Sequence, residues 1–240
     1  MNRCFKIFIV CIGGLLSGCP SSTGYRHEGQ GWVFVYPMAI GDPAGVIAVK
    51  GADNATFHQL TDSEYAADKN FVYYRGAKIP DAIPSSFKHL QGYYWLDAAH
   101  VYDSGERIAG ADPTSFKPLS VAPWSIDKDR CYRGRVLIPS GDPKTFVPIN
   151  FHWAKDGSRY YAYNFSEVLV VPCDYHSMTM LSSTYAKDNL NVFWLGGKID
   201  GADAATFSVH DEMGQDKFRR YSGPTEFWMD KKARETKNSQ

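Results

Sequence analysis

The stretch that decides the fold is DKNFVYYRGAKI, residues 68–79. A short apolar strand runs into a turn that carries Gly76, and a return strand ending in Lys78-Ile79 follows. Glycine suits such a turn because it reaches positive φ without steric cost, so the stretch predicts a β-hairpin. Near-copies recur as DAAHVYDSGERI at 97–108 and DNLNVFWLGGKI at 188–199. One hairpin spelled several times indicates a repeat protein.

Two further columns fix the period of the repeat. A Ser or Thr followed by a large apolar residue recurs at steps of 30, 29, 30, 32 and 29 residues. These pairs are Thr56-Phe57, Ser86-Phe87, Ser115-Phe116, Thr145-Phe146, Ser177-Met178 and Thr206-Phe207. An aspartate keeps the same pace at Asp68, Asp97, Asp127, Asp156, Asp188 and Asp216. The sequence therefore predicts six units of about 30 residues.

Each unit also predicts one short helical turn between strands. Five of the six units place an aspartate three residues before the Ser/Thr, as at Asp112-Pro113, and an aspartate cap with proline at the first helical position favours such a turn. A unit this small cannot bury enough apolar surface alone, but neighbouring units can share a core. We predict an all-β fold of repeated antiparallel hairpin or meander units. The unit is short for a four-strand propeller blade, so an open or curled array is favoured over a closed ring.

Alternation along the central strand assigns its two faces. One column is always aromatic and is predicted to face a core: Tyr73, Tyr102, Tyr132, Tyr161 and Phe193. The next column accepts charge and is predicted to face water: Tyr74, Asp103, Arg133, Ala162 and Trp194. Both assignments hold together because adjacent strand residues point to opposite faces.

The N-terminus predicts export and lipidation. Arg3 and Lys6 precede a ten-residue apolar run that is too short to span a bilayer and fits a secretory signal. The following Leu-Ser-Gly-Cys ends at Cys19 and resembles the bacterial lipobox, which implies diacylglyceryl attachment at Cys19, cleavage before it and acylation of the new N-terminus. By the same resemblance, Pro20 suggests the outer membrane, facing the periplasm. The alternative is an ordinary signal peptide with a chance cysteine.

These patterns divide the chain into four segments. We predict a signal peptide at 1–18, a mature N-terminus with an enlarged first hairpin at 19–49, the repeat domain at 50–228 and a polar tail at 229–240. Without Arg3 and Lys6 the chain carries 24 basic and 26 acidic side chains, a net charge of about −2. No basic stripe stands out, so a nucleic-acid partner is not expected.

The repeat resembles a known family. DKNFVYYRGAKI and the longer YAKDNLNVFWLGGKIDGADAATF, residues 185–207, look like the DKNYY repeats of bacterial envelope proteins. The resemblance covers roughly residues 50–211 and is weakest in the unit at 152–181, where Asn164 replaces the turn glycine and Met178 the phenylalanine. It implies the repeat architecture and no particular reaction.

The mature chain would retain two cysteines apart from the acylated one. Cys131 and Cys173 could form a disulfide closing a loop of about 42 residues, worth roughly 4 kcal/mol in the chain-entropy model. The alternative is that each is a small buried apolar residue, because Cys131 shares a column with Val72 and Cys173 shares one with Ala52.

No catalytic constellation emerges from the sequence. The seven histidines are scattered and no pair has metal-ligand spacing. Ser85-Ser86-Phe87-Lys88 matches Ser-x-x-Lys, but it overlies the repeated Ser/Thr-Phe column. The recurring aspartates are spread one per unit, which favours turns and caps over a calcium site. We therefore expect neither a cofactor nor an enzyme.

The remaining candidates for function are aromatic. Side chains that could form a stacking surface for glycan or peptide are Tyr74, Trp95, Trp124, Trp153 and Trp194. The leading hypothesis is a non-catalytic envelope lipoprotein, held in the membrane at Cys19, that presents a repeat surface to an unknown protein or envelope glycan. One alternative is a periplasmic immunity-type protein that binds a toxin. Another is an enzyme with a dispersed site, which predicts a deep pocket at non-repeat positions.

Overall fold

The protein folds as a row of small antiparallel β-sheets. The structure is a computed structural model that describes residues 23–36 and 45–228. Seven sheets of three or four strands account for these residues, and one 3₁₀ turn, Pro84–Ser86, is the regular helix among them. The predicted all-β class and the predicted repetition are confirmed. Within the described ranges no helix is long and apolar enough to cross a membrane.

Sheet 1 precedes the repeats and has three strands in chain order. Its strands are β1 Gly24–Glu28, β2 Gly31–Tyr36 and β3 Gly45–Ala48. The expected enlarged hairpin is the β2–β3 pair, in which Val33 lies opposite Ala48. β1 adds a third strand on the other side of β2, with Tyr25 opposite Phe34.

Six four-stranded sheets follow, one for each predicted unit, and in each the strands lie side by side in chain order. Sheet 2 contains β4 His58–Gln59, β5 Tyr65–Ala67, β6 Val72–Tyr74 and β7 Ala77–Lys78. Sheet 3 contains β8 Lys88–Gln91, β9 Tyr94–Leu96, β10 Val101–Asp103 and β11 Glu106–Arg107. Sheet 4 contains β12 Lys117–Pro118, β13 Trp124–Ile126, β14 Cys131–Arg133 and β15 Val136–Leu137.

The last three sheets repeat the same meander. Sheet 5 contains β16 Val147–Pro148, β17 Trp153–Lys155, β18 Tyr160–Tyr163 and β19 Val168–Val171. Sheet 6 contains β20 Thr179–Met180, β21 Tyr185–Lys187, β22 Val192–Trp194 and β23 Gly197–Lys198. Sheet 7 contains β24 Ser208–His210, β25 Met213–Gln215, β26 Arg219–Ser222 and β27 Thr225–Trp228.

The predicted helical turn opens each unit. In the first copy the N–H groups of Thr56 and Phe57 donate to the carbonyl oxygen of Asp53 at 3.1 and 2.9 Å. The regular 3₁₀ turn occurs in the unit that has Ile83 at the cap position and Pro84 after it. Proline pre-sets the helical φ, which explains why this unit forms the turn without an aspartate.

The core is divided into six clusters, each between two successive sheets. The cluster between sheets 2 and 3, for example, joins Tyr65 and Val72 of sheet 2 to Trp95 and Tyr102 of sheet 3. Five equivalent clusters occupy the other junctions. Each sheet thus buries its apolar residues against its neighbours, as the size of the unit predicts.

The face assignments are half right. The aromatic column of Tyr73 and its equivalents is completely buried, as predicted. The column predicted to face water is largely covered: Arg133 is 7% exposed and Ala162 is fully buried, while Tyr74 is half-buried. The prediction fails because a sheet stacked between two others has no solvent face. The second column packs against the following sheet, where the ring of Tyr74 lies against Gly105.

The array is open at its C-terminal end. In sheets 2 to 6 the first residue of the second strand is an aromatic that is at most 4% exposed, whereas its equivalent in sheet 7, Met213, is 40% exposed. Ser222, the equivalent of Tyr74, is also exposed. Hydrogen bonds between sheets join sheets that follow each other in the chain, as from Gly105 N–H to the hydroxyl of Tyr65. Within the described residues, sheet 7 therefore ends the stack with exposed side chains at positions that the earlier sheets cover.

Candidate binding surface

A buried aspartate organises every repeat. The side chain of Asp68 is almost completely buried and accepts hydrogen bonds from the backbone N–H of Asn70 and Phe71, both at 2.7 Å. Its other oxygen accepts from the Tyr73 hydroxyl and from Asp53 N–H, both at 2.8 Å. The same arrangement recurs around Asp97, Asp127, Asp156 and Asp216, and around Asp188 without the tyrosine hydroxyl. Each carboxylate pins a β-turn, a central strand and the helical turn of its unit.

The Ser/Thr column completes this network. The hydroxyl of Thr56 accepts a hydrogen bond from Lys69 N–H at 3.1 Å, and the equivalent contact is present in all five of the other units. Where Phe193 replaces the tyrosine, the amide nitrogen of Asn191 instead approaches both oxygens of Asp188 at 3.3 and 3.4 Å. The network therefore tolerates the loss of a tyrosine when a nearby amide takes over as the donor.

Hydrogen bonding dominates the ionisation of Asp68, Asp97 and Asp156. Burial alone would raise the pKa of Asp68, Asp97 and Asp156, but the backbone and tyrosine donors outweigh it and hold the pKa below its usual value. Burial, followed by the hydrogen bond to a carboxylate, raises the pKa of Tyr73 and Tyr102. These carboxylates are charged at neutral pH and fully engaged within the scaffold.

The recurring polar residues are thus accounted for by the fold. Each aspartate lies in a separate sheet, and the described residues hold no cluster of three or more His, Cys, Asp or Glu that could bind a metal. The Ser86 hydroxyl of the Ser-x-x-Lys match accepts from Ala98 N–H and donates to the carbonyl of Ile83, as its place in the repeat predicts.

The predicted aromatic stacking surface is not formed by the residues proposed for it. Trp95, Trp124 and Trp153 are at most 2% exposed and belong to the clusters between sheets. Tyr74 and Trp194 are half-buried against the following sheets. Indole rings at these positions supply the walls between units, which is the common role of aromatics in short strands.

A different set of aromatic residues lies at the junction of sheets 4 and 5. The guanidinium carbon of Arg133 is 3.4 Å from the ring centre of Tyr163 and 4.5 Å from that of Phe151. Its Nε and one Nη donate to the carbonyl of Phe151 at 3.4 and 3.3 Å, which is long for such bonds. Burial lowers the pKa of Arg133, yet guanidinium remains charged in proteins. Among the described residues no carboxylate forms an ion pair with it.

The rings around Arg133 hold one another in place. Phe151 and Phe165 each meet His152 edge-on with ring centres 5.0 Å apart, and the His152 ring stacks on Tyr163 at 6.4 Å. His152 Nδ1 donates to the carbonyl of Tyr163 at 3.1 Å. Phe151 is 50% exposed and Phe165 is 63% exposed. We call these five residues the aromatic cluster: Arg133, Phe151, His152, Tyr163 and Phe165.

The repeat does not explain the exposed members of this cluster. Phe151 occupies a column that holds small residues elsewhere, such as Ser63, Gly92 and Ala122. Phe165 lies in a turn longer than its two-residue equivalents, and Asn164 Oδ1 closes that turn by accepting from Ser166 N–H and Glu167 N–H. Sequence reasoning noticed this unit as a departure from the repeat but drew no site from it.

The comparison with known families rests on this same repeat. A model of the DKNYY family matches residues 34–164 and, in a second overlapping match, residues 94–233. Together these matches span most of the 240-residue chain. The chain belongs to the DKNYY family. No curated protein and no solved structure is significantly similar to it.

The geometry explains the letters of the DKNYY motif in this chain. In DKNFVYY the aspartate is the buried acceptor, and the lysine ammonium forms a 2.7 Å ion pair with the cap residue Asp53. Asn70 and the next residue supply the backbone donors of the turn. The first tyrosine, Tyr73, closes the network, and the second, Tyr74, packs against the following sheet. The DKNYY signature is therefore a folding signature.

The structure does not join Cys131 and Cys173. Cys131 is fully buried in the cluster between sheets 4 and 5, while Cys173 is half-buried beside the next cluster. Both carry free thiols, and burial raises the pKa of Cys131 to about 12 and of Cys173 to about 11. They occupy their columns as small apolar residues, which was the alternative to a disulfide.

Two predictions lie outside the described residues. The predicted signal peptide and the predicted lipidation site Cys19 fall within residues 1–22, and the predicted polar tail begins at residue 229.

A cleft of about 420 Å³ lies between sheets 1 and 2. Its charged residues, Glu64 and Arg75, neutralise each other at 2.5 Å, so this cleft offers no free charge of its own from that pair.

Proposed function

We propose that this DKNYY protein is a membrane-anchored lipoprotein of the bacterial envelope whose repeat array is a non-catalytic binding scaffold. The lipobox ending at Cys19 motivates the anchor, and Pro20 motivates the outer membrane. The array carries the binding role as a rigid platform held clear of the lipid.

One observation supports the scaffold role above the others. The polar residues that recur in the sequence, which are the natural candidates for chemistry, are used up in six equivalent hydrogen-bond networks inside the fold. The exposed large side chains at non-repeat positions include two neighbouring aromatic residues, Phe151 and Phe165. Aromatic side chains and arginine are enriched at the centres of protein interfaces, which favours binding over catalysis.

The anchor is tested by metabolic labelling with a palmitate analogue. We expect the wild-type chain to incorporate label and to sediment with outer membranes, and the Cys19→Ser variant to do neither. A Cys131→Ser variant is the matched control and should label like the wild type, because that thiol is buried. An unlabelled wild type would exclude the lipoprotein.

The binding role is tested in the envelope of living cells. A photo-crosslinking residue placed at Phe165 should yield a reproducible adduct, whereas the same residue at Leu190, which is 81% exposed in sheet 6, should not. Adducts of equal yield at both positions, or at neither, would count against a specific binding surface.

A further inference from the structure

We propose that the aromatic cluster binds a peptide segment of a partner protein through an apolar side chain that lies next to a carboxylate. This inference deepens the proposed binding function by naming the site and the chemistry of its ligand. It does not depend on the lipid anchor.

The charge of the site selects an anion. Arg133 is 7% exposed and donates to the backbone carbonyl of Phe151 at long distance. A guanidinium has five N–H donors, and no carboxylate of the described residues forms an ion pair with Arg133. A buried cation without an anion costs free energy, so a carboxylate that reached its small exposed part would be favoured. The planar fork of arginine matches a carboxylate with two parallel hydrogen bonds.

The rings select an apolar partner beside that anion. Phe151 and Phe165 present half or more of their surface to solvent and have no hydrogen-bonding atoms on their rings. A sugar would bury only its C–H face on such rings and finds no hydrogen-bonding atom on them for its hydroxyl groups, whereas an aliphatic or aromatic side chain would bury more apolar surface against both rings. This contrast favours a peptide over an envelope glycan.

The cluster is also rigid before a ligand arrives. Edge-on and stacked contacts through His152 fix the orientation of the rings, and the Tyr163 hydroxyl donates to the carbonyl of Phe165 at 2.9 Å. A preorganised surface loses little side-chain freedom on binding, so even a small ligand should be retained.

The test uses a minimal ligand of this class and its neutral twin. Binding of N-acetylphenylalanine and of N-acetylphenylalaninamide to the purified protein is compared by saturation-transfer NMR titration. We expect the acid to bind in the millimolar range and the amide at least five-fold more weakly. Glucuronate, which has the carboxylate without an apolar side chain, should bind no better than the amide.

Variants locate the binding. Phe165→Ser and Phe151→Ser should each weaken the acid at least five-fold, and both should fold because these side chains are exposed. Tyr93→Ser is the matched control, since Tyr93 is 68% exposed in the corresponding loop of sheet 3, and it should bind like the wild type. Arg133→Gln should remove the difference between acid and amide.

Three results would overturn the inference. They are equal affinity for acid and amide, wild-type affinity in both phenylalanine variants, and tighter binding of glucuronate, which would point to an acidic glycan. Because the probes act on the purified protein, a negative result for labelling at Cys19 would leave this test standing, and a negative result here would leave the anchor standing.

Discussion

The side chain that does most for each unit is a charged group buried among apolar neighbours. Asp127 is 3% exposed and receives four hydrogen bonds, from Asp112 N–H, Asp129 N–H, Arg130 N–H and the Tyr132 hydroxyl. A buried charge is costly unless it is fully paired, so the carboxylate and its donors require one another. Removing one member leaves the others unsatisfied.

The first prediction compares two aspartates in the same turn. Asp127→Ala should lower the free energy of unfolding by at least about 3 kcal/mol, because several buried N–H groups lose their acceptor. Asp129→Ala, two residues away on an exposed side chain, should change it by less than about 0.5 kcal/mol. Urea unfolding followed by tryptophan fluorescence measures both. Similar losses for the two variants would mean that the network is not what stabilises the unit.

A second prediction concerns the pH dependence of stability at the equivalent aspartates of other units. The aspartates with a lowered pKa contribute stability that is full above about pH 4, the unfolded value, and is lost as the pH falls through the lower folded value. The tyrosines with a raised pKa act in the opposite sense. Their contribution is full below about pH 10 and is lost as the pH rises further.

Thermal unfolding across pH 2–11 should therefore show a plateau between about pH 5 and 9 with a fall on each side. Asp156→Asn should flatten part of the acid limb, since that site no longer titrates. A melting temperature that rises on acidification below pH 4 would contradict the assignment.

At the scale of the element, the hairpin turn joins one sheet to the one before it. Gly105 has φ +77°, and a Cβ there would come within 2.5 Å of the Tyr74 ring in sheet 2. Glycine is therefore required at position 105 for two reasons: its positive φ and its close contact with the Tyr74 ring. Gly92 has φ +57° with nothing within 4 Å of an added Cβ, so it needs glycine for the backbone alone.

This pair gives a third prediction. Gly92→Ala should cost about 1 kcal/mol from the left-handed backbone. Gly105→Ala should cost at least about 1 kcal/mol more, from displacing Tyr74, and a second change Tyr74→Ser should recover that extra part. Urea midpoints of Gly92→Ala, Gly105→Ala, Tyr74→Ser and the double variant Gly105→Ala/Tyr74→Ser measure these costs. Equal costs at the two glycines would show that the sheets do not meet at this turn.

Much of each element could be predicted from sequence, and the exceptions have physical causes. Aromatic alternation and the turn glycine located the third and fourth strands of each repeat unit. The first strand of each repeat unit escaped notice because it is a two- to four-residue edge with little apolar pattern, as in His58–Gln59. The prediction that Arg133 and Ala162 face water was wrong. Alternation of residue types along a strand shows that its two faces differ, but it does not show that one of them is exposed to solvent.

The binding surface was beyond sequence reasoning for a related reason. Exposure depends on which side chains the neighbouring sheet covers, and a single strand does not contain that information. Trp124 and Phe151 look equally suited to a surface in the sequence, yet the first is fully buried and the second is half exposed. The usable signal was irregularity, since Phe151 and Phe165 both sit where the repeat has no need of an aromatic ring.

At the scale of the whole molecule, stability should be shared between neighbours. Ile138 is 2% exposed in the cluster between sheets 4 and 5, and Ile138→Ala should cost about 2–4 kcal/mol. In a linear array such a loss is felt most by the adjoining units. In Ile138→Ala, hydrogen exchange measured by mass spectrometry should accelerate much more in sheets 4 and 5 than in sheets 1 and 7.

Val136→Ala, at a 42% exposed position in the same sheet, is the control and should leave the exchange pattern unchanged. Uniform acceleration along the chain in Ile138→Ala would instead describe a single cooperative block.

The exposed Met213 and Ser222 carry a consequence for how such proteins lengthen or shorten. A closed ring of sheets has a fixed number of units, because one more unit changes the angle between every pair of neighbouring sheets. An open row whose last sheet exposes its outer face can hold any number of units. Duplication or loss of one 30-residue segment from the interior would preserve every junction type and the terminal surface. Relatives that differ by whole units should consequently fold alike. Their arrays would differ in length but keep the same contacts between neighbouring sheets.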